Sequence, residues 1–143
     1  MKNWITTFLL LLVFIVLKGQ APQAINYQAI ARDTTGAALS GAAITVRVGI
    51  ISGSATGVLE WQELHSVTTN SFGWFNISIG QGISTGAGSV TSFSLINWGA
   101  ANYYCKIEVN NGSGFRLMGT HNIFRYHMPC LQTKQAVFPI LFL

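Results

Sequence analysis

Acidic side chains are scarce in this sequence: Asp33, Glu60, Glu63 and Glu108 are all that its 143 residues hold. So few, and so scattered, they form neither the paired carboxylates of a glycoside hydrolase nor the oxygen-rich loop of a calcium site. Cysteine is limited to Cys105 and Cys130. Cys130 near His121 and His127 assembles a thiol with potential bases or ligands, but the spacing fits no zinc signature and no acid stands beside them. "GQG" (Gly80–Gly82) lacks the lysine and the following helix that a phosphate-cradling loop requires. Glu63 and His65 project from one face of a strand with no third group to complete a catalytic set, so they read as a solvated surface pair. The sequence therefore predicts no catalytic, cofactor-binding or metal-ligating residue, and no enzyme.

Excess positive charge is also missing where it would count. The formal net charge is +4, yet Lys2 and Lys18 lie in an N-terminal leader and Arg125 and Lys134 in the C-terminal tail. Between them Arg32, Arg47, Lys106 and Arg116 balance the four acids. A neutral body lacks the clustered cations that neutralise phosphates, which excludes nucleic acid as a partner. Long apolar runs are confined to the two ends. Trp4–Leu17 ("WITTFLLLLVFIVL") after Lys2 has the length of a signal-peptide core and falls short of the roughly 20 residues that span a bilayer. Gly19 and Ala21 supply small residues for cleavage, so residues 1–21 are expected to be a signal-peptide helix that exports the chain; an uncleaved anchor is the competing reading. No Cys follows the run, which excludes acylation there. "AVFPILFL" (Ala136–Leu143) is too short to span and is interrupted by Pro139.

What the body does hold is a period of two, broken by turn residues every eight to twelve positions. Strands are expected at "INYQAIAR" (Ile25–Arg32), "AITVRVGI" (Ala43–Ile50), "VLEWQELHSVTT" (Val58–Thr69), "WFNISIG" (Trp74–Gly80), "YYCKIEV" (Tyr103–Val109) and "FRLMGT" (Phe115–Thr120). Ile44, Val46, Val48 and Ile50 fall on one face, as do Phe75, Ile77 and Ile79, and β-branched residues suit such half-buried pleats. "DTTG" (Asp33–Gly36), "NSFG" (Asn70–Gly73) and "NNGSG" (Asn110–Gly114) carry the Asx and Gly chemistry of turns, and "QGISTGAGSVTS" (Gln81–Ser92) reads as a loop. No helical period runs through the body. Six or seven short strands in about 100 residues predict an all-β domain, an antiparallel β-sandwich of immunoglobulin or fibronectin type, over residues 22–120. Cys105 alternates with Tyr103, Ile107 and Val109 as a small buried hydrophobe would; a bridge to Cys130 in an oxidising compartment is the competing reading.

The segments "QAPQAINYQAIARDTTGAAL", "VRVGIISGSATGVLEWQELHSVTTNSFGWFNISIGQG", "FSLINWGAANYYCKIEVN" and "MGT" together resemble an N-terminal β-sandwich domain of secreted Bacteroidota surface and fibre-like proteins. That domain typically reads NYQAVARD, then ETHSVTTNxxGLFxxxIGxG, then INWG and KVEVD, and ends LGTxxLxSVPYALYA. The resemblance implies an exported, non-catalytic module that precedes larger surface or fibre regions. The likeness stops after Thr120. Codons exist for Phe124–Leu131 ("FRYHMPCL") that spell Ser-Val-Pro-Tyr-Ala-Leu when read from the third base, so residues 121–143 are expected to be a frameshifted, disordered tail. Reading the coding DNA in three frames tests this.

Three tryptophans remain as candidate ligand contacts: Trp61, Trp74 and Trp98. Trp74 falls on the polar face of its strand, where an indole can stack on a sugar or a partner; a ring covered by a loop or a neighbouring module is the plainer alternative. "NIS" (Asn76–Ser78) and "NGS" (Asn111–Ser113) fit the N-glycosylation pattern, whose machinery a bacterial source would normally lack. The expected function is thus a secreted structural or interaction domain, meeting the membrane only through its leader. The alternative is an extracellular carbohydrate- or ligand-binding domain that uses exposed aromatics.

Overall fold

The computed structural model describes residues 24–123, 136–137 and 141–142. Three turns set the frame, and all three use the same device. Asp33, Asn70 and Asn110 each stand at or just after the end of a strand and bend their side-chain oxygen back onto the chain two and four residues ahead. Asp33 Oδ1 accepts from the N–H groups of Thr35 (2.9 Å) and Ala37 (3.0 Å). Asn70 Oδ1 accepts from Phe72 (2.8 Å) and Trp74 (2.9 Å), and Asn110 Oδ1 from Gly112 (2.8 Å) and Gly114 (3.0 Å). A short polar side chain thus supplies the acceptor that a reversing backbone lacks. Gly73 turns at φ 76°, and a Cβ there would lie 2.7 Å from the Ala31 carbonyl oxygen, so this turn demands glycine on two counts.

Between the turns run the strands β1 (Ile25–Arg32), β2 (Ala43–Ser52), β3 (Val58–Thr68), β4 (Trp74–Ile79), β5 (Ile83–Ser84), β6 (Tyr103–Asn110) and β7 (Phe115–Ile123). The larger sheet has the order β5-β3-β2-β6-β7, antiparallel throughout. In the smaller sheet β1 pairs antiparallel with β4 from Ile25↔Ile79 to Ile30↔Trp74. The other edge of β1 meets two dipeptide strands running parallel to it, β8 (Ala136–Val137) and β9 (Leu141–Phe142). A 3₁₀ turn at Phe93–Leu95 is the only helical element among the described residues.

The two sheets pack face to face as the β-sandwich that the period of two predicts. Ile44, Val46, Val48 and Ile50 are all buried, as are Phe75, Ile77 and Ile79, and they meet Tyr27, Ala29, Ala31, Ile107 and Val109 in one core. The outward residues of β4, Trp74 and Asn76, are exposed. Each inward Ile, Val or Phe contributes roughly 1.5–3 kcal/mol by leaving water.

β3, β4 and β6 each end within one residue of the sequence reading, and three differences are larger. β2 extends to Ser52 because a bulge sets Ile51 opposite Leu59 after Ile50 opposite Trp61, which carries pairing past the point where strict alternation ends. β5 is a two-residue strand inside a stretch read as loop, too short for any period to show. β7 continues three residues beyond Thr120, with His121 opposite Cys105 and Ile123 opposite Tyr103. The expected leader, residues 1–21, lies outside the described residues. Of the expected tail, residues 121–123, 136–137 and 141–142 are described as strand and the rest lie outside.

A buried carboxylate hub and an exposed tryptophan groove

Glu63 corrects the sequence reading most sharply. It does not face solvent: it is fully buried, pointing into the sandwich beside Trp61, opposite Val48 on β2. An ionised carboxylate in such a place is costly unless its oxygens are all engaged, and they are. Oε2 accepts from the Trp61 indole Nε1–H (3.0 Å) and the Gly82 N–H (3.2 Å). Oε1 accepts from the Gly80 N–H (2.7 Å) and from His65 Nε2 (2.8 Å). Four donors fill the roughly four lone-pair sites a carboxylate offers. The "GQG" turn after β4 therefore binds an anion after all, but the anion is the chain's own. It ties the end of the smaller sheet's β4 to β3 of the larger one. Gly82 fits only as glycine, since a Cβ would stand 2.6 Å from His65 Nε2 and 2.9 Å from the Leu64 carbonyl oxygen.

The other three acids are likewise spent on structure. Glu108 takes a bidentate pair from Arg47 (Nε 2.8 Å, Nη2 2.9 Å) and lies 3.4 Å from Lys106 Nζ, joining β2 to β6 on the outer face. Arg47 in turn stacks on the Phe115 ring at 4.1 Å. Glu60 accepts from the hydroxyls of Ser52 and Ser89, and Asp33 closes its own turn. Each of the four carboxyls is held below its ordinary range. For Glu63, burial alone would raise it, and the bonds from His65, Gly80 and Trp61 outweigh that. For Glu108 the Arg47 guanidinium does it, for Glu60 the Ser89 and Ser52 hydroxyls, for Asp33 the Thr35 hydroxyl.

A carboxyl whose pKa is lower folded than unfolded adds stability that is present above the unfolded pKa and is lost as pH falls through the folded one. The melting temperature is therefore expected to be level from neutral pH down to about 5 and to fall steeply below about 4.5, near the unfolded carboxyl values. Thermal melts followed by circular dichroism across that range check this; a melting point that holds or rises toward pH 3 would contradict it.

Cys105 behaves as the buried hydrophobe expected. It is 5% exposed, and burial, with the Glu63 charge adding to it, pushes its thiol up to about 12. Cys130 lies outside the described residues. In a Cys130→Ser variant, iodoacetamide at about pH 8 is expected to label Cys105 only as fast as the domain opens, because the thiolate is the nucleophile. Labelling at the rate of a free thiol would refute this. Among the described residues no group of three or more His, Cys, Asp and Glu is placed to hold a metal ion.

The three tryptophans part company. Trp61 is buried, with its indole N–H committed to Glu63. Trp98 is half-buried in an aromatic cluster, its ring centroid 5.5 Å from Phe93 and 5.0 Å from Tyr103, while the Tyr103 hydroxyl donates to the Asn97 carbonyl (2.8 Å). Trp74 is 43% exposed and forms a wall of a shallow open groove of about 490 Å³ with Val67, Thr68, Thr69, Asn70 and Asn76. A second such groove lies against Ala43–Thr45, Ser66–Thr68 and Asn110–Gly112, and the two share Val67 and Thr68. Phe72, 75% exposed at the tip of the same Asn70–Gly73 turn, escaped the sequence reading, although an aromatic residue inside a turn motif was the available signal.

A family model described as a domain of unknown function, DUF8740, matches residues 26–120, the stretch from β1 into β7. No curated protein and no solved structure matches the chain.

Proposed function

The chain belongs to the family described as domain of unknown function DUF8740, and from that premise we propose that it is a non-catalytic, exported β-sandwich module, serving as a structural or interaction domain of an extracellular or cell-surface protein. The observation that carries this reading is how its acids are spent. Asp33, Glu60, Glu63 and Glu108 are the chain's whole supply of carboxylates, and every one is engaged in bonds that close a turn or join strands. A general base must be free to reach a substrate proton; Glu63, the one carboxylate deep in the molecule, is enclosed by four donors of its own chain. The outward-facing Trp74 and Phe72 supply contact area of the kind an interaction module presents.

The apolar leader after Lys2 supports export, and the likeness of the sequence to an N-terminal β-sandwich domain of secreted Bacteroidota surface proteins supports reading it as an immunoglobulin- or fibronectin-like surface module. The test is localisation together with turnover. An epitope-tagged chain expressed in a Bacteroidota host is expected outside the cytoplasm, with the tag degraded by protease added to intact cells. A tag confined to the cytoplasm overturns export. Hydrolysis of a glycoside or ester that Glu63→Gln abolishes overturns the non-catalytic assignment.

A further inference from the structure

We propose that the groove beside Trp74 binds a neutral oligosaccharide. The inference rests on the reading of the domain as an interaction module and names the chemical class of its partner. The groove lies along β4, which is an edge strand among the described residues, where β3 gives way to the Asn70–Gly73 turn. The side chains it offers to solvent are Thr68, Asn70, Trp74 and Asn76, all exposed and none ionisable. The adjoining groove across Val67 and Thr68 continues the theme with Thr45, Ser66, Asn110 and Asn111. Among the described residues that line the two grooves there is no cation to compensate a phosphate or a uronate and no anion to draw a basic peptide.

What such a lining matches is a pyranose. One face of the ring is a sheet of C–H bonds that an indole can cover, and its rim is a ring of hydroxyls that both donate and accept. Carboxamides and hydroxyls satisfy that rim because they too do both. The shallowness of the groove argues in the same direction. Compact ligands sit in clefts that enclose most of their surface, whereas a chain of sugars lies along an open track. A protein partner would want a drier, more apolar centre than three amides and hydroxyls around one ring.

The site is also fixed in advance. Asn70 Oδ1 is held by the Phe72 and Trp74 N–H groups, which orients its amide nitrogen as the remaining donor. Trp74 and Asn76 are locked in register opposite Ile30 and Gln28 of β1. Little ordering cost is left for the ligand to meet.

The experiment uses the full chain, with affinity electrophoresis in gels containing laminarin, xylan, galactomannan or hydroxyethyl cellulose, and calorimetry with chitohexaose. Retardation or heat with at least one probe is expected. Trp74→Ala is expected to weaken that binding by about tenfold or more, as truncation of an aromatic anchor does. Trp74→Phe is expected to keep part of it, and Asn76→Ala to lose several-fold, each with an unchanged circular dichroism spectrum. Absence of binding to all five probes at millimolar sugar overturns the inference, and so does Trp74→Ala binding as tightly as the parent. Either failure leaves the module reading standing. That reading falls instead if reducing ends are released from a probe.

Discussion

Glu63→Ala is expected to destabilise the domain by about 3–5 kcal/mol, the range for removing one partner from a buried charged network. The substitution removes four hydrogen bonds at once and leaves the Trp61 indole N–H and the Gly80 and Gly82 N–H groups without their acceptor. Each unsatisfied buried donor costs about 1–3 kcal/mol. Domains of this size are stable by only about 5–15 kcal/mol, so the variant loses a large share of the whole. Glu63→Gln should fall between, since its single oxygen serves two donors while its NH₂ group faces the others. Urea denaturation reads the effect as a drop in midpoint at constant slope. A Glu63→Ala unfolding free energy within about 0.5 kcal/mol of the parent's would mean that the hub contributes nothing to folding.

Ile50→Ala should cost about 2–5 kcal/mol, through lost burial and the cavity left behind. Ile50 is fully buried at the centre of the larger sheet, between Trp61 on β3 and Cys105 on β6. Both neighbours are anchored, Trp61 by Glu63 and Cys105 by its strand, so the site has little freedom to collapse. A loss under about 1 kcal/mol in the same denaturation experiment would show a core looser than this packing describes.

The strands were legible because two independent signals agreed. Alternation gave Ile44, Val46, Val48 and Ile50 one face, and the Asx and Gly residues at Asp33–Gly36, Asn70–Gly73 and Asn110–Gly114 stopped the strands within one residue of where the structure stops them. Glu63 was misread because β3 alternates without saying which side is in. Its inward set mixes Trp61 and Val67 with Glu63 and His65, its outward set mixes Leu64 with Gln62 and Ser66, and neither is plainly the apolar one. Only pairing with β2, which sets Glu63 beside Val48 and Trp61 beside Ile50, chooses the face. Trp61, Trp74 and Trp98 carried the same ambiguity: as residue types they are equal candidates for contact, and their positions separate them.

The residues in order, then, determined the all-β character, the six longer strands and the turn chemistry, because those depend on neighbours a few positions apart. The tertiary structure alone decided that Glu63 is a buried hub and that Trp74, of the described tryptophans, is the one most open to solvent. Those outcomes depend on donors from the distant turn at Gly80–Gly82 and on which strand forms a sheet edge among the described residues, and no local pattern encodes how far-apart segments meet.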